Sequence, residues 1–209
     1  MKNRNRHIFN RSFAFGISRK ALVASAIIAT FPAVALAGPS LGIGYSDVGL
    51  SGHSGRPGVT LTAGNLYSNN VVATGAASFA RGFYGFHADL GKLIPTGIAG
   101  TSFTPYASLG FLNLNYQQAQ FTPSTEDVYA LAGADLNVPV GSKVAFLLGG
   151  GYGHTVTTFG GNGGAVYRAK AEIGFEVAPH VTTNIHVNYL HVPGASLTNY
   201  GMGLSYHFS

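Results

Sequence analysis

The segment Tyr200–Phe208 alternates large apolar residues with small or polar ones, and this alternation constrains the fold more than any other feature of the chain. The large apolar positions are Tyr200, Met202, Leu204, Tyr206 and Phe208. Successive side chains of a β-strand point to opposite sides, so the segment predicts a strand with one apolar face that ends in aromatic residues. Its other face, which carries Gly, Gly, Ser and His, is small and polar.

Charged residues are too few for these polar faces to form a water-exposed surface. They make up 9% of the chain, against about 25% in soluble domains. The net charge of +5 comes from the N-terminus, because six basic residues lie within the first twenty, whereas residues 38–209 hold six basic and seven acidic ones. This distribution disfavours a helical globular protein, a disordered chain and a nucleic-acid-binding protein. It favours lipid outside and a narrow polar lumen inside.

Nine further segments are compatible with strands, so the sequence predicts an all-β fold: a closed antiparallel up-and-down transmembrane β-barrel of ten strands. Two connections, Arg81–Gly82 and Gly91–Phe103, break the pattern of longer outer loops and tight inner turns, so eight strands is the alternative. We also expect an outer loop over Val192–Thr198. The nine segments are Leu41–Leu50, Gly58–Tyr67, Val71–Ala80, Phe83–Leu90, Thr104–Tyr116, Val128–Val138, Val144–Val156, Ala165–Val177 and Val181–His191.

The N-terminus has the three parts of a secretory signal peptide. A basic stretch of twenty residues precedes the apolar segment Ala21–Phe31, and small residues at Ala35 and Ala37 form the expected cleavage site. The apolar segment is too short for a membrane-spanning helix and is followed by Pro32. We therefore expect Sec-type export, cleavage of residues 1–37, and a single barrel domain over 38–209. The chain has no Cys, which excludes disulfides and thiolate metal sites.

The signal sequence, the Gly-rich remainder and the ending Tyr206-His207-Phe208 resemble the small outer-membrane β-barrels, namely the OmpA/OmpX-like and opacity-type group, and also the YfaZ-like family. The resemblance implies a location in the outer membrane of a Gram-negative bacterium, with contacts to outer-membrane lipid. It also implies that the final strand is the signal read by the outer-membrane assembly machinery, although Ser209 follows the aromatic residue here. These families range over adhesion, lipid modification, narrow pores and envelope structure, so the resemblance does not select one function.

The alternation places most charged and histidine side chains of the strands in the lumen. In a barrel this narrow, opposite charges that face each other are expected to pair and fill the lumen. We therefore expect a monomer with a side-chain-filled or very narrow lumen and a structural or surface-interaction role; the alternative is a narrow pore for ions or small solutes. The predicted lumen network comprises His87, Asp89, Asp135, Arg168, Lys170, Glu172, Glu176, His186 and His207.

A lipid-modifying enzyme is the second alternative. The candidate groups near the predicted outer rim are His154 with Thr155, and His191 with Ser196. Neither pair has an acidic partner at an evident spacing or a flanking nucleophile motif. The Gly-rich segments Gly149–Gly153 and Gly160–Gly164 lack the Lys and helix of a phosphate-binding loop. The sequence therefore predicts a protein that is not an enzyme, with no catalytic residues, no cofactor, no metal site and no nucleic-acid partner.

Overall fold

The computed structural model describes residues 38–51, 55–98, 100–115 and 124–208. The predicted signal peptide, its cleavage positions Ala35 and Ala37, and Ser209 lie outside the described residues. The long strands are β1 Gly38–Leu50, β2 Arg56–Leu66, β3 Val71–Ala80, β4 Phe83–Lys92, β5 Ser102–Asn115, β6 Ser124–Val140, β7 Val144–Phe159, β8 Ala165–Ala178, β9 Val181–Val192 and β10 Ala195–His207. A two-residue segment, Ile94–Pro95, also pairs with the start of β5. Within the described part of the chain, no helix is long and apolar enough to span a membrane.

Each long strand pairs antiparallel with the next, and β1 pairs with β10 to close the sheet. Gly44 lies opposite Gly203 at this seam. The pairing of β4 with β5 completes the circle on the other side. Closure leaves no unpaired sheet edge, which is what a strand-built structure needs in a medium that offers backbone groups no hydrogen bonds. The predicted ten-stranded antiparallel barrel is confirmed, and the alternative of eight strands is wrong.

The outer surface of the barrel is apolar. On β10 the predicted phase holds, since Tyr200, Met202, Leu204, Tyr206 and Phe208 are all exposed. We call the end of the barrel that carries Gly38 and Phe208 the inner end, and the opposite end the outer end. Exposed aromatic residues form a belt near each end. The outer belt includes Tyr45, Phe79, Tyr84, Tyr152, Tyr167 and Tyr200, and the inner belt includes Tyr67, Phe103, Phe146, Tyr206 and Phe208.

The lumen is not polar throughout. Towards the outer end, inward-facing apolar side chains are fully or almost fully buried against one another, and we call this group the outer apolar cluster. Sequence reasoning missed it, because it expected small and polar residues along the whole lumen face. Excluding water from these side chains stabilises the outer end of the barrel. The cluster contains Val48, Leu50, Leu112, Leu114, Val166, Val192 and Leu197.

Two of the expected connections differ from the structure. The predicted outer loop Val192–Thr198 is wrong: only Pro193 and Gly194 separate β9 from β10, and Gly194 adopts a φ of 81°, which a tight turn requires. The inner connection Gly91–Phe103 is largely paired instead of open, because β4 continues to Lys92 and Ile94 pairs with Phe103. Strands β6 and β7 are also longer than expected, at 17 and 16 residues.

Candidate functional site

An ion pair crosses the lumen between β8 and β4, two strands that are not neighbours in the sheet. The guanidinium Nη2 of Arg168 donates to Oδ2 of Asp89 at 2.8 Å. Arg168 is 7% exposed and Asp89 is 4% exposed. A charge this deeply buried is stable only with a partner, so the two residues hold each other in the barrel centre.

A second ion pair joins β8 to β6. Lys170 Nζ lies 2.7 Å from Asp135 Oδ2. The strand between them, β7, places Gly149 opposite both residues in the register. A Cβ atom at Gly149 would collide with the Asp135 carboxylate and lie 2.8 Å from Lys170 Cε. The glycine therefore leaves the space in which the two side chains meet.

Tyr106 on β5 lies beneath both cations. Its ring centroid is 5.0 Å from Arg168 Cζ and 5.2 Å from Lys170 Nζ, so one aromatic face contacts both positive charges. The hydroxyl of Tyr106 donates to the backbone carbonyl of Gly150 at 3.2 Å. Sequence reasoning did not find Tyr106, because which strands bring their side chains together depends on the stagger of the whole barrel.

The remaining predicted lumen residues do not join these two pairs. Asn184 Nδ2 donates to Glu172 Oε1 at 2.6 Å, which makes Asn184 a further lumen residue that the sequence did not indicate. His207 is buried at the inner end, where its Nε2 lies 3.1 Å from the Thr182 hydroxyl. Glu176 lies opposite Thr182 in the strand register and is only partly buried.

The two ion pairs divide the lumen into two compartments. On the side of the cations Arg168 and Lys170 is a cavity of about 140 Å³ whose lining also includes His87, Glu172 and His186. On their inner side is a vestibule of about 770 Å³, bounded by Asp89, Asp135 and the turns at the inner end. The paired charges therefore lie between the vestibule and the cavity.

The two candidate histidine pairs at the outer end differ in their contacts. Nδ1 of His154 lies 3.1 Å from the backbone carbonyl of Thr155, so this contact does not involve the threonine hydroxyl. Nδ1 of His191, in contrast, lies 2.9 Å from the Ser196 hydroxyl. Among the described residues, no group of three or more His, Asp or Glu side chains could hold a metal ion.

No protein-family model matches the chain. No curated protein matches it in sequence either. Solved structures with the same kind of fold include the translocator domain of the autotransporter NalP from Neisseria meningitidis, at 12% identity and a TM-score of 0.48 over 82% of this chain and 88% of that one. A KdgM porin in complex with disordered oligogalacturonate aligns at 10% identity and a TM-score of 0.42, over 80% of this chain and 99% of that one. The attachment invasion locus protein Ail of Yersinia pestis, in complex with the heparin analogue sucrose octasulfate, aligns at 13% identity and a TM-score of 0.36. The alignment covers 81% of this chain and 96% of that one.

The resemblance to small outer-membrane barrels is confirmed at the level of the fold. The barrel architecture is shown by the strand pairing of this chain itself, which is continuous around the barrel. The ligands of the porin and Ail structures belong to those proteins.

Proposed function

We propose that this protein is a monomeric barrel of the Gram-negative outer membrane whose lumen is closed by its own side chains, with a structural or surface-interaction role. The apolar outer surface between two aromatic belts supports the membrane location, because amphipathic rings favour the boundary between hydrocarbon and head groups. Export through a cleaved signal peptide and insertion by the assembly machinery are part of the proposal. In this orientation the inner end faces the periplasm.

The ion pair between Arg168 and Asp89 carries the proposal of a closed lumen. Its two strands lie on different sides of the barrel, so the side chains occupy the path that a permeating ion would take. Removing one partner leaves the other charge buried without compensation, which costs about 3–5 kcal/mol. A barrier of this kind favours the paired, closed state.

The outer apolar cluster supports the same conclusion at a second level. Leu50, Leu112 and Val166 are at most 1% exposed and belong to one packed apolar cluster. An apolar constriction opposes ion passage because the ion would lose its hydration without gaining polar ligands. The lumen is thus closed by two layers of different chemistry.

Planar-bilayer recordings of the purified, folded protein test this proposal. We expect no steady conductance from the wild type. Arg168→Ala weakens the charged layer, and Arg81→Ala, which removes an exposed arginine at the β3–β4 turn, is the matched control. The opposite result is a steady conductance of the wild type that Arg168→Ala changes only in ion selectivity. That result would overturn the closed lumen and establish the alternative, a narrow pore.

One observation favours that alternative. A cavity of about 140 Å³ lies on the cation side of the charged layer and a vestibule of about 770 Å³ on its carboxylate side, so a path between them would pass through the two ion pairs. A pore of this kind would still need the outer apolar cluster to open. Brief openings whose frequency rises in Arg168→Ala would support a gated pore over a permanent plug.

A further inference from the structure

The outer end of the β9–β10 hairpin holds a serine and a histidine in direct contact. His191 and Ser196 are cross-strand partners, and Nδ1 of the histidine lies 2.9 Å from Oγ of the serine. The hydroxyl of Tyr189 donates to the same Oγ at 3.1 Å. When the His191 imidazole carries its hydrogen on Nε2, Nδ1 is free to accept the proton of the Ser196 hydroxyl, while Oγ accepts from Tyr189. A hydroxyl that donates to an imidazole nitrogen is the arrangement of a nucleophile and its general base.

These side chains are on the lipid-facing side of the barrel. They alternate with Leu190, Val192 and Leu197, which face inwards, and His191 and Ser196 are each only partly buried. His191 follows Tyr189 towards the outer end and contacts Tyr167 of the outer aromatic belt. That level corresponds to the head groups and glycerol region of the outer leaflet, where the ester bonds of lipid acyl chains lie.

Neighbouring residues fix the geometry of the pair. The ring of Tyr167 is stacked on the His191 imidazole, with centroids 4.3 Å apart and planes 15° apart. Ser51, which directly follows β1, holds the backbone of Ser196. Its N–H donates to the Ser196 carbonyl at 2.6 Å, and its hydroxyl accepts from the Ser196 N–H at 3.3 Å. The pair is therefore held at a reactive distance before any lipid binds.

We propose that Ser196 and His191 form a site that hydrolyses acyl esters of outer-leaflet lipid, a function separate from the closed lumen. Ser196 Oγ adds to the ester carbonyl carbon as its proton passes to His191 Nδ1. The carbon–oxygen bond to the lipid alcohol then breaks, and His191 returns the proton to that alcohol. Water, deprotonated by the same nitrogen, attacks the acyl-serine, which releases a fatty acid and restores Ser196. One water is consumed for each ester cleaved.

Labelling of the folded, detergent-purified protein with a fluorophosphonate tests the nucleophile. We expect the wild type to be labelled at Ser196, Ser196→Ala to be unlabelled, and His191→Gln to be labelled at least about 100-fold more slowly, the scale of general-base assistance. Tyr189→Phe retains the ring and should react more slowly without a change in melting temperature. Thr198→Ala is the matched control, because it removes the next outward-facing hydroxyl on the same strand.

Fatty-acid release distinguishes the two sources of ester. The protein is incubated in mixed micelles that contain either phosphatidylethanolamine or purified lipopolysaccharide, and release from either one that is absent in Ser196→Ala supports the site. A shift of each variant on SDS gels after boiling shows that it is folded. An unlabelled wild type, equal labelling of Ser196→Ala, or no release from either lipid would overturn the proposal and leave a hydrogen bond that only closes the hairpin.

Discussion

Lys170 and Asp135 form their ion pair across Gly149, the residue that separates them on β7. The contact depends on the missing side chain, since a Cβ at this position would overlap the carboxylate. Glycine in a strand interior normally weakens the strand. Here the loss of strand propensity is offset by room for a buried charged pair.

Gly149→Ala should therefore destabilise the barrel. The added methyl group displaces Asp135 and Lys170, and overpacking of this kind costs about 1–3 kcal/mol. We expect a lower temperature for conversion to the unfolded form on SDS gels. Gly150→Ala is the control on the same strand, because a Cβ there meets only the Arg168 carbonyl at 3.4 Å, an ordinary contact. Equal melting of both variants would contradict the role assigned to Gly149.

The pair Arg168 and Asp89 should show strong coupling in a double-mutant cycle. Either single substitution to alanine leaves a buried charge without its partner, so each should lower the free energy of unfolding by about 3–5 kcal/mol. The double variant should lose much less than the sum. Urea titration of the refolded protein measures each value, and additive losses would show that the two residues do not stabilise each other.

The outer apolar cluster should contribute to stability through Leu112. Leu112 is 1% exposed, whereas Leu109 on the same strand faces outwards and is 63% exposed. Leu112→Ala should cost about 2–5 kcal/mol because it leaves a cavity in packed surroundings. Leu109→Ala leaves no cavity and should cost less. Combining Leu112→Ala with Arg168→Ala weakens both closures, so conductance should exceed that of either single variant.

The sequence predicted the fold, because a period of two assigns each side chain of a strand to one face. It placed Arg168 and Asp89 on the same side of the sheet but could not show that they meet, since that depends on the register of four intervening strand pairs. It also missed the outer apolar cluster. Phe111 and Leu112 are adjacent apolar residues on opposite faces, so alternation is lost where both faces are apolar.

The C-terminal assembly signal remains a prediction. Comparing Phe208→Ala with deletion of Ser209 tests whether the aromatic residue or the chain end is recognised. Phe208 is exposed at the inner end, its backbone N–H donates to the Pro39 carbonyl at 2.8 Å, and its ring lies edge-on to Tyr206 with centroids 5.0 Å apart. Phe208→Ala removes that ring and retains the backbone bond that closes the barrel seam. If the ring is what the assembly machinery recognises, the amount of folded protein in the outer membrane should fall several-fold in Phe208→Ala, whereas deletion of Ser209 should have little effect.

Refolding of purified Phe208→Ala into detergent separates recognition from stability, because a defect confined to cells assigns the loss to assembly. Equal amounts of folded protein from the two variants in cells would show that the terminal aromatic residue is not the signal.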